Sequence, residues 1–244
     1  SNPVCGVIEA YNGSKTLDFS YSRVNPTTGN DVLTPVSTTI NFDAGKGVLQ
    51  LKYKDVGRLI FSVAEGLPDN RLEGSSENFI VKPHHFDIET DNDAVSSVAT
   101  TLYRKAGEDF TITVTAKDAE GYTVKSYGNE ESPELPESVV LRHALELPVG
   151  GAAGNLTSIN FMVKDSVNDG VFIGTYQWTQ VGVLSLEAAV DDGDYLGGGD
   201  ATGSLDTVGR FSPHHYVVDT SSLSPALTSF TYLDQPFMVS HTLS

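Results

Sequence analysis

The sequence is poor in what most enzymes and nucleic-acid binders need. It has one cysteine, Cys5, so no internal disulfide framework can hold it together. A catalytic cysteine needs a base and a supporting scaffold, and a chain terminus offers little of either. Cys5 is therefore either an idle thiol or half of a disulfide whose partner lies upstream in a secreted protein; the second is the expectation. Basic residues are scarce, 15 Lys and Arg against 32 Asp and Glu, for a formal net charge of −17. Such a surface repels phosphate backbones and anionic lipid, which excludes nucleic acid as a partner. No apolar run approaches the ~18–20 residues that a membrane-crossing helix requires, so direct membrane insertion is not expected. No signal peptide is visible, and Ser1-Asn2 reads as a cloning remnant, so the chain is expected to be a mature fragment of a longer protein. There is no Gly-x-Ser-x-Gly elbow. Gly197-Gly198-Gly199 has no following helix to make a phosphate loop. Any two of 32 acidic residues could be paired on paper, so paired-carboxylate catalysis has no specific support. The chain is predicted not to be an enzyme.

What is present is the pattern of strands and turns: short runs of Val, Thr, Tyr, Phe and Ile separated by Gly, Pro, Asn and Asp. No segment sustains a 3.6-residue apolar period with caps, so little helix is expected. In Thr16 to Arg23, Leu17, Phe19 and Tyr21 alternate with polar residues, as in a half-buried strand. Val32 to Phe42 is extended but interrupted by Pro35. Val48 to Tyr53 and Arg58 to Ala64 are predicted strands, Leu67 to Glu77 a polar loop, and Asn78 to Val81 a short strand. Phe86 to Glu89, Val98 to Arg104 and Phe110 to Ala116 follow, the last with Phe110, Ile112, Val114 and Ala116 on one face. Ser126 to Glu137 is an acidic, proline-bearing loop. Val139 to Leu147, Leu156 to Val163, Val171 to Trp178, Val183 to Val190 and Val208 to Phe211 are the remaining predicted strands, with a Gly/Asp-rich loop at Asp191 to Gly203.

One phrase occurs twice. Pro83-His84-His85-Phe86 returns as Pro213-His214-His215-Tyr216, 130 residues later. Weaker echoes keep the same order. Ser37-Thr38-Thr39-Ile40-Asn41-Phe42 resembles Leu156-Thr157-Ser158-Ile159-Asn160-Phe161, and Tyr53-Lys54-Asp55-Val56-Gly57 resembles Trp178-Thr179-Gln180-Val181-Gly182. Repetition at this distance predicts tandem copies of one domain. The expected fold class is all-β, tandem immunoglobulin-like β-sandwiches. The expected division is an N-terminal β-sandwich domain with a partial repeat at 1–82, a complete domain at 83–212, and at 213–244 the start of a further repeat or strands completing another domain. Pro83, His84, His85, Phe86, Pro213, His214, His215 and Tyr216 are then domain-junction residues.

Two resemblances rest on these residues. Phe110 to Val124 resembles the B-strand and following turn of bacterial surface immunoglobulin-like domains. Leu17-Asp18-Phe19, Tyr53 to Gly57, Phe79 with Pro83 and Phe86, and Val208-Gly209-Arg210-Phe211 with Pro213 and Tyr216 together resemble the repeat region of the MSHA pilus biogenesis (MshQ) family, large secreted proteins associated with a type IV pilus locus. These motifs are structural and carry no active site. They imply a non-enzymatic structural or adhesive module, extracellular or at the bacterial cell surface. Its expected partners are other domains of the same protein, with pilus components and host or surface glycans as candidates. The alternative is a carbohydrate-binding module, or an accessory β-domain of a secreted glycosidase, with Tyr11, Tyr122 or Trp178 stacking on sugars.

Metal chemistry has two candidates. Adjacent residues on a strand point to opposite faces, so His84-His85 and His214-His215 are not expected to share an ion within a pair. Asp191, Asp192, Asp194 and Asp200 offer hard oxygens to calcium but lack EF-hand spacing, and Asp-Gly is also ordinary turn material. No cofactor is expected, with calcium at this loop as the alternative.

Overall fold

The computed structural model describes residues 6–29, 31–66, 71–91 and 102–243. The expectations for Cys5 and for the start of the strand at Val98 lie outside the described residues. Among those described, every regular element is a strand and none is a helix. No described helix is long and apolar enough to cross a membrane.

The first unit holds β1 (Gly13–Thr16), β2 (Asp18–Asn25), β3 (Thr34–Pro35), β4 (Thr39–Phe42), β5 (Leu51–Lys52), β6 (Gly57–Glu65), β7 (Leu72–Ser75) and β8 (Phe79–Val81). Its main sheet is β2-β6-β7, with β8 also paired to β6. Two small ladders, β1-β4 and β3-β5, flank it. In β2 the expected alternation is present: Phe19, Tyr21 and Arg23 are half-buried while Asp18, Ser20 and Ser22 are exposed.

The second unit is a sandwich of two four-stranded sheets. One has the order β13 (Leu156–Lys164), β14 (Val171–Trp178), β11 (Asp109–Lys117), β9 (His85–Thr90). The other runs β10 (Arg104–Lys105), β16 (Thr202–Ser212), β15 (Gly182–Val190), β12 (Val139–Leu147), and β10 alone pairs in parallel. The alternating residues of β11 and β14 point into a single core with Leu184, Leu186, Ala188 and Val190 of β15. Trp178 is completely buried there, at the edge of the His143 ring. It is a core residue and does not present a sugar-stacking face. Tyr103, Phe110 and Phe211 close one end of the core with ring centroids 5.4–5.8 Å apart. Beyond the sandwich, β17 (Val218–Ser224) and β18 (Met238–Leu243) form an antiparallel pair.

The weak sequence echoes correspond to a register. In the sandwich, Gly182 faces Phe211, Glu187 faces Ser204 and Ala188 faces Gly203 across β15-β16. In the first unit, Gly57 faces Val81, Ser62 faces Ser75 and Val63 faces Gly74 across β6 and its two partners. Gly57 and Gly182 both adopt positive φ, 137° and 120°. A β-carbon there would lie 2.7 Å from the Asn25 carbonyl oxygen and 2.0 Å from that of Leu147, the residues that end β2 and β12. Glycine is required at both places for the same reason. The sheet β2-β6-β7/β8 is thus a second edition of β12-β15-β16.

Three sequence expectations are corrected. Leu67 to Glu77 contains a strand, β7; its four residues are all exposed, so no alternating burial marks it, and its ladder to β6 alone defines it. Val48 to Tyr53 shrinks to Leu51–Lys52, since only these two residues form a ladder, with Pro35 and Thr34 of β3. The strand expected at Val208 begins six residues earlier, inside the Gly/Asp-rich loop, because Thr202 and Gly203 already pair with β15.

Candidate functional site

The most elaborate polar site lies where the first unit meets the sandwich. The turn Tyr53 to Gly57 delivers Asp55 into this seam, where it is 2% exposed. Its Oδ1 accepts hydrogen bonds from the amides of Val56, at 3.0 Å, and Ser126, at 2.9 Å. Its Oδ2 accepts the Ser126 hydroxyl, and Arg23 Nη1 lies 3.8 Å away. The Arg23 guanidinium also donates to the Tyr53 hydroxyl and the Asp31 carbonyl, and sits 5.4 Å from the Tyr53 ring centre. A buried carboxylate is tolerated only when paired and hydrogen-bonded in this way. Burial, with the Asp55 charge behind it, holds the Tyr53 phenol well above its ordinary range. Val56, next to Asp55, places its side chain in the sandwich core.

Asn25 makes a second clasp. Its amide donates to the Glu131 carbonyl, at 3.1 Å, and to Glu134 Oε2, at 2.8 Å, while its oxygen accepts the Glu131 amide at 2.8 Å. Arg58 makes a third, donating to Glu134 Oε1 at 2.8 Å and to the Leu196 carbonyl at 3.0 Å. Lys52 and Lys54 pair with Glu120, and Lys82 donates to the Asp200 carbonyl. The acidic, proline-bearing loop 126–137 is what receives most of these contacts.

An acidic groove of about 570 Å³ opens beside the clasps, lined by Arg58, Glu134, Glu137, Asp191, Asp192 and Asp194. Beneath it Glu130 is buried, its oxygens accepting the amides of Gly128, at 3.3 Å, and Glu137, at 2.9 Å. Burial raises its affinity for a proton. Tyr127 and Tyr195 stack at 5.6 Å, and Tyr127 donates to the Ser138 carbonyl. The Tyr195 hydroxyl lies against the Glu130 carboxyl, short of standard hydrogen-bond geometry. Glu137 accepts the Leu196 amide at 3.3 Å, and burial, reinforced by Asp192, Glu130 and Asp194, pushes its carboxyl up to about 7.

This carboxyl gives a pH dependence with a definite sign. The folded chain holds the Glu137 proton more tightly than the unfolded chain, whose value is near 4.5. The resulting stabilisation is complete below pH 4.5 and is lost as pH rises through 7. Repulsion within a chain of charge −17 acts in the same direction. Thermal melts at pH 5 and pH 8 are expected to show a higher midpoint at pH 5, and Glu137→Gln should remove a few degrees of that difference. An unchanged pH slope in the variant would mean that Glu137 titrates normally.

The expected calcium ligands are spent on their own loop. Asp192 accepts the Asp194 amide at 2.9 Å, Asp194 the Gly199 amide at 2.6 Å, and Asp200 the Val190 amide at 3.0 Å. Asp191 is exposed at the groove rim. Among the described residues no three His, Cys, Asp or Glu side chains converge on one metal position.

The two Pro-His-His phrases sit in different surroundings. Pro83 is buried between β8 and β9, and Phe86 is 2% exposed against Tyr127. Pro213, His214, His215 and Tyr216 are all exposed, Tyr216 by 71%. Contrary to the alternation argument, the rings of each pair meet. The Nδ1 atoms are 3.0 Å apart in His84-His85 and 2.9 Å apart in His214-His215. Strand alternation does not apply, because His84 and His214 precede the strands that follow them. One ring of each pair must donate Nδ1–H and the other accept.

In the seam Ser126 is buried beneath Asp55, and His143 of the sandwich faces the Gly154 carbonyl. No local sequence signal marks Asp55, Asn25 or Glu131, because their partners are far along the chain.

Comparison with known proteins gives two family matches. Residues 82–172 match the model for the second domain of DUF6701, and residues 180–244 match that for its third domain. The gap between them, 173–179, covers most of β14, and the one sandwich draws strands from both matched regions. No curated protein and no solved structure matches the chain.

Proposed function

We propose that the chain is a non-enzymatic, extracellular structural module of a bacterial surface protein, similar to the pilus-associated MshQ proteins, that holds adjacent β-units in a fixed relation. The observation that carries this reading is the Asp55 seam. A buried carboxylate bonded across the joint, with a core residue beside it, is what a stiff spacer needs and what a flexible linker lacks. The order β13-β14-β11-β9 against β12-β15-β16 supports an immunoglobulin-like reading of the sandwich, with the two-residue β10 added in parallel at the β16 edge. Rigid sandwiches of this kind present loops to partners, which also suits an adhesive role. Other domains of the same protein are its nearest partners, with no cofactor required.

A glycan array and calorimetry on the folded chain test the choice between spacer and lectin, and melting in millimolar calcium or chelator tests the acidic loop. The expected results are no saturable sugar binding and an unchanged midpoint. Saturable binding of one sugar class would replace the spacer reading with a carbohydrate-binding module. A midpoint raised by calcium would restore Asp191, Asp192, Asp194 and Asp200 as a cation site.

A further inference from the structure

The ring contact within each Pro-His-His phrase plays no part in a spacer. In the first phrase its cause is local. Pro83 is buried, the His84 amide donates to the Lys117 carbonyl at 2.9 Å, and His85 opens β9 opposite Lys117. Pairing of β9 with β11 thus fixes the backbone at both histidines. The side chains stay accessible: His84 is exposed, and the side chain of His85 is 35% exposed. Their Nδ1 atoms lie 3.0 Å apart, with the ring planes at 89°.

Two imidazole nitrogens at that separation can share a proton, or they can share a metal ion. An ion about 2.0–2.1 Å from both Nδ1 atoms would subtend an N–metal–N angle of about 95°. That is close to the right angle of square-planar or octahedral coordination. Widening the pair by about 0.3 Å reaches the tetrahedral angle that zinc prefers. Both rings have the exposure to turn their lone pairs towards one point.

The far side of the His85 ring carries an independent sign. Asp87 lies two residues further along β9, on the same face of the strand, and its Oδ1 is 3.5 Å from His85 Nε2. Lys117 Nζ, 3.8 Å from Asp87 Oδ2, steadies the carboxylate from its other oxygen. A carboxylate beside Nε2 favours the proton on that nitrogen and leaves Nδ1 as a bare donor. Metal-binding histidines are oriented and made more basic in this way. The second phrase repeats the ring contact, at 2.9 Å, but Val217 stands where the first has Asp87. The two phrases thus share a chelating geometry, and only the first has the supporting carboxylate.

We infer that His84 and His85 form a bidentate site for a late first-row divalent ion, copper(II), nickel(II) or zinc, held by the two Nδ1 atoms with Asp87 positioning His85 through Nε2. The ion takes the place of the proton between the rings, which leaves to solvent, and water fills its remaining positions. Imidazole donors suit these ions, whereas calcium and magnesium prefer oxygen. A formal charge of −17 draws any cation toward the surface, and the imidazole pair selects among them. His214 and His215 make a weaker copy of the same chelate. The inference is independent of whether the protein binds sugars or only spaces other domains.

Calorimetric titration of the whole chain with copper(II), nickel(II) and zinc tests it, in a Cys5→Ser background so that the lone thiol takes no part. Two sites are expected, both tightest for copper(II). His84→Ala and His85→Ala should each weaken the tighter site by about a hundredfold, because one imidazole loses the gain of chelation. Asp87→Asn should weaken it about 10–100-fold with both ligands kept. His214→Ala should abolish only the weaker site, and excess calcium should change neither. Thermal melts without metal check that each variant is folded; the exposed His84 ring is removed at little cost to the fold. In NMR spectra, broadening by copper(II) should centre on the amides of His84, His85 and Lys117. The inference is overturned by the absence of saturable binding, by a titration unaltered in both folded histidine variants, or by broadening centred on residues 191–194. An Asp87→Asn chain that binds like its parent overturns the part given to Asp87.

Discussion

Gly203→Val is expected to destroy the cooperative melting of the sandwich, whereas Gly74→Val should leave the midpoint where it is. The two glycines share a register and face equivalent partners, so strand propensity cannot separate them. Space separates them. At Gly203 the obstacle is the carbonyl oxygen of Phe86, backbone that no rotamer change can move aside. Any side chain there must push β9 away from β16. That exposes Phe86 and Ile88, each worth about 1.5–3 kcal/mol when fully buried. It also disturbs the Phe86–Tyr127 contact and the β9-β11 ladder. The total loss is expected to reach about 4 kcal/mol or more, a large part of the stability of an ordinary domain. Urea melts followed by Trp178 fluorescence would read it directly, because that side chain lies wholly inside the core. If Gly203→Val melts within a degree or two of the parent, β9 does not seat on β16.

Several strands of the sandwich were legible in the sequence. Val139–Leu147 and Val171–Trp178 have the expected bounds, and β11 buries the four residues expected. Alternation reports which side chains face a core, and these strands face one. It is silent about β7, which has no buried side chain, and about β10, a two-residue strand defined only by its parallel pairing with β16. The seam was illegible for a related reason. Asp55 lies 71 residues from Ser126, and Asn25 lies 106 from Glu131. A polar residue in a turn looks the same in sequence whether it meets water or a distant amide. The repeated phrase was visible at once, but its two environments were not. The sequence shows that Phe86 and Tyr216 are alike; only packing shows that one is covered and the other bare.

Asp55→Ala is expected to loosen the joint between the units more than any other single polar change. The substitution leaves the Ser126 amide and hydroxyl and the Val56 amide without their shared acceptor in a buried place. It also removes the carboxylate beside Arg23, whose side chain is only 8% exposed. Breaking a buried charge cluster from one side costs about 3–5 kcal/mol, because the partner charge stays buried. For a chain of this size that corresponds to a fall in midpoint of roughly 10 °C. Arg23 keeps the Tyr53 hydroxyl and the Asp31 carbonyl, which places the expected value toward the lower end. Asp55→Asn keeps an acceptor oxygen but loses the charge, so it should fall between alanine and the parent. Hydrogen exchange distinguishes a loosened seam from general destabilisation. The amides of Val56 and Ser126 should lose protection first, while those of β11 and β14 at the sandwich centre keep theirs. Uniform loss of protection would mean that the seam and the sandwich melt as one body. The rigid coupling proposed for the spacer would then extend through the whole core instead of residing at Asp55.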